Sequence, residues 1–228
     1  MGSWYPSLLC LILTFIYTHI KRERYIYIKN KTNKKKTGAG GKGGPARTQA
    51  IDADAAKHIL AASFASPRVS KILLISWIGS RRTQPSWMSD ADWARIQDVF
   101  HRVLPAYAQA KLEADEYMTA LAARRAEDVQ AGKATPLQAI NLRPGTLTDE
   151  EATRKVDLGR TTKGYGTVTR GDVAIVADLL LARGDPAGWV DLLGGEEDVE
   201  GAVERVARGG VDAVEGEDVE GMVKRFGL

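Results

Sequence analysis

The sequence predicts an α/β domain, on the strength of three stretches that alternate in kind. Residues 71–79 read Lys-Ile-Leu-Leu-Ile-Ser-Trp-Ile-Gly, an apolar run with turn signals at both ends, the pattern of a strand buried in a parallel sheet. A helix follows over 104–121, rich in Ala, Leu, Glu and Lys, with Pro105 suited to its first turn. Residues 137–142 form the next apolar strand, which turns sharply at Arg143-Pro-Gly-Thr146. With 228 residues and 44% apolar composition, the chain can bury a substantial core in one domain.

The remaining elements follow from local signals. Residues 50–63 read as a helix with Ala55, Ala56, Ile59 and Leu60 along one side, closed by Pro67 before the first strand. Residues 81–105 form an insertion holding Trp87 and Trp93, where Ser89-Asp-Ala-Asp92 caps a helix through Val103. That insertion could cover the substrate side of a groove, although packing explains its tryptophans slightly better. Val156–Leu158 and Gly166–Thr169 read as short strands around a glycine-rich turn. Thr169-Arg-Gly-Asp172 resembles a capping box opening a helix through Leu181, so its Arg-Gly-Asp has a structural explanation and implies no adhesion function. Trp189–Leu193 is expected to be the last strand, and Asp198-Val-Glu-Gly-Ala-Val and Asp218-Val-Glu-Gly-Met-Val mark two short amphipathic helices. Two copies are too few for a solenoid.

The candidate chemistry sits on the 104–121 helix. Tyr107 and Lys111 are four residues apart and project from one face, placing an ammonium beside a phenol. Such a lysine is expected to stabilise the phenolate, lowering the tyrosine pKa from about 10 and fitting it for acid or base work. Tyrosine and lysine also pair by chance on many exposed helix faces, so the pair alone carries little. Ser76 ends its strand on the side where open α/β sheets place ligands, and Ser80 is the alternative hydroxyl. A serine there is more often a turn residue. His101 is isolated, and no His, Cys, Asp or Glu spacing suggests a metal site.

A strand ending in Ser76, a helix carrying Tyr107-x-x-x-Lys111 and a strand ending in Arg143-Pro144-Gly145, in that order, resemble the atypical and extended short-chain dehydrogenase/reductases, particularly small fungal NAD(P)-binding Rossmann proteins. The resemblance runs from about Gly38 to the C-terminus. It implies a partial Rossmann-like doubly wound parallel sheet with flanking helices, and an oxidoreductase of unknown substrate using NAD or NADP. In such a protein Tyr107 would be the general acid, Lys111 would hold the nicotinamide ribose, and Ser76 would orient the substrate carbonyl. Pro144, Gly145 and Thr146 would meet the nicotinamide end of the cofactor. Trp77 departs from the family's small-hydroxyl pattern. The alternatives are a module that senses the dinucleotide without turnover, and a product that binds nothing.

Gly38-Ala39-Gly40-Gly-Lys-Gly43 matches G-x-G-x-x-G by letter, but no apolar strand runs into it and Pro45 follows. By resemblance Gly38, Ala39 and Gly40 belong to the loop after the family's fourth strand, as secondary cofactor contacts, and a flexible linker is the alternative. No strand, glycine loop and helix unit precedes Gly38. The N-terminal part of the fold is therefore expected to be missing, an otherwise paired strand edge to be open to self-association, and NAD(P) to bind poorly or not at all. Residues 1–37 read as an altered start, with 4–20 a borderline membrane anchor as the alternative and the globular body cytosolic in either case. Residues 1–50 hold ten Lys or Arg against one Glu, a local +9 within a total of +3, which leaves the remainder at −6. An acidic body without a basic groove argues against nucleic-acid binding. The one cysteine, Cys10, can form no intrachain disulfide.

Overall fold

The computed structural model describes residues 16–20, 24–26 and 44–228. Gly38, Ala39 and Gly40 lie outside the described residues, as does most of the 4–20 stretch. Its last five residues, Ile16–Ile20, form strand β1, followed by β2 (Arg24–Ile26). Among the described residues, no helix is long and apolar enough to cross a membrane.

A continuous helical run opens the globular body. It comprises α1 (Pro45–Thr48), a π-helical stretch (Gln49–Ala55) and α2 (Ala56–Ala65). It begins earlier than expected because Pro45 fits a first helical turn, its fixed φ matching the helix and its missing N–H needing no partner there. Next come β3 (Val69–Ile75), α3 (Asp90–Asp98), a π-helical turn (Val99–Val103) and the long α4 (Pro105–Gln130). Ser89 caps α3 by accepting from Asp92 N–H at 3.1 Å, as its sequence suggested. The second half holds β4 (Gln138–Pro144), β5 (Thr146–Thr148), β6 (Lys155–Gly159), β7 (Thr167–Thr169) and α5 (Arg170–Ala182). It ends with β8 (Gly188–Gly194), β9 (Glu197–Asp198), α6 (Val199–Gly209) and α7 (Val219–Phe226).

The main sheet has the order β2-β1-β3-β4-β8-β6-β9, and β5 pairs with β7 in a small parallel sheet. Its centre, β3-β4-β8, is parallel, while β1 on one side and β6 on the other run antiparallel. One edge of β3 is paired along Ile16–Ile20. Three layers result. Leu73, Ile75, Ile140, Leu142, Val190 and Leu192 face α5 and α6, burying Val176, Leu180, Ala202 and Val206. Ile72, Leu74 and Ala139 on the opposite face pack against Leu60 and Phe64 of α2 and Ala114 and Met118 of α4. The alternation of strand side chains thus serves two helical layers, which is why the central strands read as unbroken apolar runs.

Helix α4 is enclosed on several sides, because the 45–65 run, the sheet and α7 all pack against it. Ala108, Ala110, Ala114 and Ala120 are buried, and their small side chains permit that crowding. Gly79 has a similar local reason. A Cβ there would stand 2.4 Å from the Trp77 ring, so glycine leaves room for Trp77 to fold back beside Tyr107, with ring centroids 6.2 Å apart.

Candidate functional site

Toward the C-terminal end of the parallel strands, the sheet face beneath α4 becomes polar. Ile75 pairs with Leu142, and Ser76 N–H continues the ladder by donating to the Leu142 carbonyl at 2.8 Å. Ser76 therefore stands beside Arg143, which pairs in turn with Asp191 of β8. Above this row, α4 presents Tyr107, Lys111 and Asp115 at successive four-residue steps. All are buried, Tyr107 being 6% exposed and Lys111 1%.

The expected residues do meet at one end of the sheet, but their electrostatics differ from expectation. Lys111 Nζ donates to the Ile75 carbonyl at 3.2 Å, stands 4.0 Å from Asp52 and lies 5.9 Å from the centre of the Tyr107 ring. Burial lowers the Lys111 pKa, against the opposing pull of Asp52 and Asp115. The Tyr107 phenol is raised well above its ordinary value, first by burial and then by Asp52 and Asp115. This corrects the expectation of a phenolate favoured by lysine: two carboxylates and desolvation keep Tyr107 protonated at neutral pH. Its hydroxyl makes no hydrogen bond among the described residues.

Ser76 Oγ is 2.7 Å from Asp115 Oδ2. Ser80, the alternative hydroxyl, is fully buried, and its N–H donates to the Trp77 carbonyl at 2.9 Å, so it is foremost a turn residue. The turn after β4 is tied into the fold rather than left open. Ile78 N–H donates to the Pro144 carbonyl at 3.0 Å, Gly145 N–H to Leu192 at 3.0 Å and Thr146 N–H to Gly166 at 2.9 Å. A Cβ on Gly145 would approach the Gly166 carbonyl to 2.5 Å, so packing of β5 and β7 under β8 requires glycine there. Only the exposed Thr146 presents a side chain from this turn to the outside.

Several polar residues of this layer escaped the sequence reading. Arg143 and Asp191, both 0% exposed, form an ion pair at 2.9 Å. The guanidinium lies 3.9 Å from the centre of the Trp189 ring and donates to the Ile78 carbonyl at 2.7 Å. Arg81, also buried, sits over Trp87 and Trp189, and burial together with Arg143 lowers its pKa to about 10. Asn141 is buried on the same face without a hydrogen bond to either amide atom. Two signals were present: Asp115 continues the Tyr107, Lys111 spacing by one more turn, and Asp191 interrupts an otherwise apolar strand.

For a nicotinamide cofactor, the described residues fit at one end. A phenol hydroxyl that makes no hydrogen bond among the described residues, a lysine four residues on and a serine at a strand terminus lie at the end of the sheet where open α/β folds bind ligands. Gly38, Ala39 and Gly40, expected as secondary cofactor contacts, lie outside the described residues. Among those described, no group of His, Cys, Asp or Glu is arranged to hold a metal ion.

Comparison with known proteins gives the class. Residues 36–183 match the NAD(P)H-binding family, and the chain belongs to it. It is 31% identical over 126 residues to a UPF0659 protein of Schizosaccharomyces pombe, a match covering 54% of this chain and 45% of that one. Its fold is similar to that of the oxidoreductase ylbE from Lactococcus lactis, with a TM-score of 0.53 and 23% identity over 75% of this chain and 66% of that one. A candidate NAD-dependent epimerase/dehydratase from Bacillus halodurans is similar in the same way, with a TM-score of 0.55 and 22% identity over 74% and 66%. The chain thus spans less than half of the yeast relative. The two solved structures support a Rossmann-like fold.

Proposed function

We propose that the chain is an NAD(P)H-dependent oxidoreductase of the short-chain dehydrogenase/reductase type, acting on a carbonyl or quinone. The observation that carries this reading is that Lys111 bonds the Ile75 carbonyl next to Ser76 and lies 5.9 Å from the Tyr107 ring, at the C-terminal end of β3, where burial keeps the Tyr107 proton in place. NAD(P)H, when bound, would supply the hydride for the carbonyl carbon. Tyr107 gives its proton to the carbonyl oxygen, forming the alcohol, and regains one from solvent. Lys111, held by the Ile75 carbonyl, would hydrogen-bond the nicotinamide ribose and offset the negative charge developing on the Tyr107 oxygen. Ser76 orients the carbonyl. Burial of all three excludes water, which strengthens each of these interactions.

The test is calorimetric titration of NADPH and NADH into purified 1–228. Binding with a dissociation constant in the micromolar range, about −8 kcal/mol, supports the reading. No binding of either at millimolar concentration would overturn it for this chain.

A further inference from the structure

We propose that Trp77 sets the substrate class: its ring is a stacking platform for a planar, uncharged aromatic carbonyl, an aryl ketone or a quinone. This rests on the reading of Tyr107, Lys111 and Ser76 as the carbonyl-reducing centre. Trp77 directly follows Ser76, and its ring stands beside Tyr107 with centroids 6.2 Å apart. Of residues 72–81 it alone is not buried, so a molecule reaching this turn from solvent meets Trp77 first. The backbone holds the ring in place. A Cβ on Gly79 would stand 2.4 Å from two atoms of the six-membered ring of the indole and 2.8 Å from a third, which places the glycine over a ring face. Tyr107, tilted by 50°, stands to one side and does not lie flat on the ring. Gly79 thus supports one face, and among the described residues no aromatic ring is stacked on the other. A planar group placed there gains the offset stacking that the half-buried indole lacks.

The charges nearby argue for an uncharged substrate. Lys111 is engaged by the Ile75 carbonyl and Asp52, Asp115 by Ser76, and Arg143 by Asp191. All of these side chains are buried with their partners. Drawing one of the cations onto a substrate carboxylate or phosphate would leave its present partner stranded away from water, which is costly. A neutral aromatic carbonyl needs only an apolar face and a hydrogen-bond donor. Trp77 supplies the face and the Tyr107 hydroxyl the donor.

The experiment is equilibrium dialysis of naphthyl methyl ketone and its fully saturated analogue against the full chain with NADP+ present, repeated with Trp77→Leu and Trp77→Phe. Burial of apolar surface alone does not favour the planar ketone, whereas stacking on an aromatic face does. Wild type is expected to bind the naphthyl ketone roughly three- to tenfold more tightly, the range that aromatic pairing provides. The preference should vanish in Trp77→Leu and return in Trp77→Phe. Should the leucine variant not fold, the Trp77 emission, read as the difference between wild type and Trp77→Phe, should be quenched by duroquinone. Equal binding of the two ketones, binding of neither, a preference that survives in Trp77→Leu, or an unquenched Trp77 would overturn the inference. NADPH oxidation with the same ketones tests the oxidoreductase reading separately. A binding preference without turnover keeps the platform and rejects that reading, and turnover without a preference does the reverse.

Discussion

Arg143 and Asp191 form a fully buried ion pair. Neither side chain reaches solvent, so each charge has exchanged water for its partner, the Trp189 face and the Ile78 carbonyl. Such a pair adds little net stability over a well-packed apolar pair, yet removing one member strands the other. Asp191→Ala should therefore cost about 3–5 kcal/mol in urea unfolding, and Asp191→Asn, which keeps an acceptor, should cost less. A loss below about 1 kcal/mol for the alanine variant would mean that Arg143 finds another partner. None of this was legible in the sequence. Asp191 could be seen to interrupt an apolar strand, but which face it took, and that Arg143 met it there, depended on the pairing of β4 with β8 in one register. Tyr107 and Lys111 were legible because their contact is local, set by four residues of one helix. The direction of the Tyr107 shift was not, since it comes first from burial under segments distant in sequence and then from Asp52, which one of them brings in.

At the scale of elements, the start of α5 shows local and long-range roles meeting. Thr169 Oγ1 accepts from Asp172 N–H at 2.9 Å and donates to Asp172 Oδ2 at 2.8 Å, completing the cap that the sequence indicated. The same carboxylate accepts from the N–H groups of Thr153 at 3.0 Å and Arg154 at 2.8 Å, and so anchors the segment before β6. Arg154 adopts a φ of +55° there. Burial opposes ionisation of Asp172, but these N–H and hydroxyl donors outweigh it and hold its carboxyl below the ordinary range. A depressed folded-state pKa means that its contribution is complete above the unfolded value of about 3.9 and fades as pH falls through the lower folded one. Asp172→Ala should lower stability at neutral pH by about 1–3 kcal/mol. The difference from wild type should shrink as pH drops below about 4 in thermal melts. A difference that stays constant to pH 2 or so would assign the effect to packing rather than charge.

Over the whole molecule, the order of strands and helices from β3 onward was readable because each alternates in local pattern and is bounded by Gly, Pro or a cap. Pairing direction was not. The antiparallel attachment of β1 to β3 and of β6 to β8 joins segments remote in sequence, and neither leaves a signature in composition. The strand β5 was missed for the same reason, since three residues pair only because Gly145 lets the chain pass close to Gly166. What the assembled fold achieves is to gather β3, β4 and β8 so that Ser76 and the Tyr107, Lys111, Asp115 face of α4 share one buried end of the sheet. The central claim is that this face performs proton transfer to a carbonyl. Its most direct test is steady-state NADPH oxidation with menadione as acceptor, comparing wild-type chain with Tyr107→Phe. The phenylalanine variant should bind NADPH as wild type does and lose roughly 10²-fold or more in turnover, because only the transferable proton has been removed. Turnover equal to wild type in that variant would contradict the account and reduce Tyr107 to a packing residue.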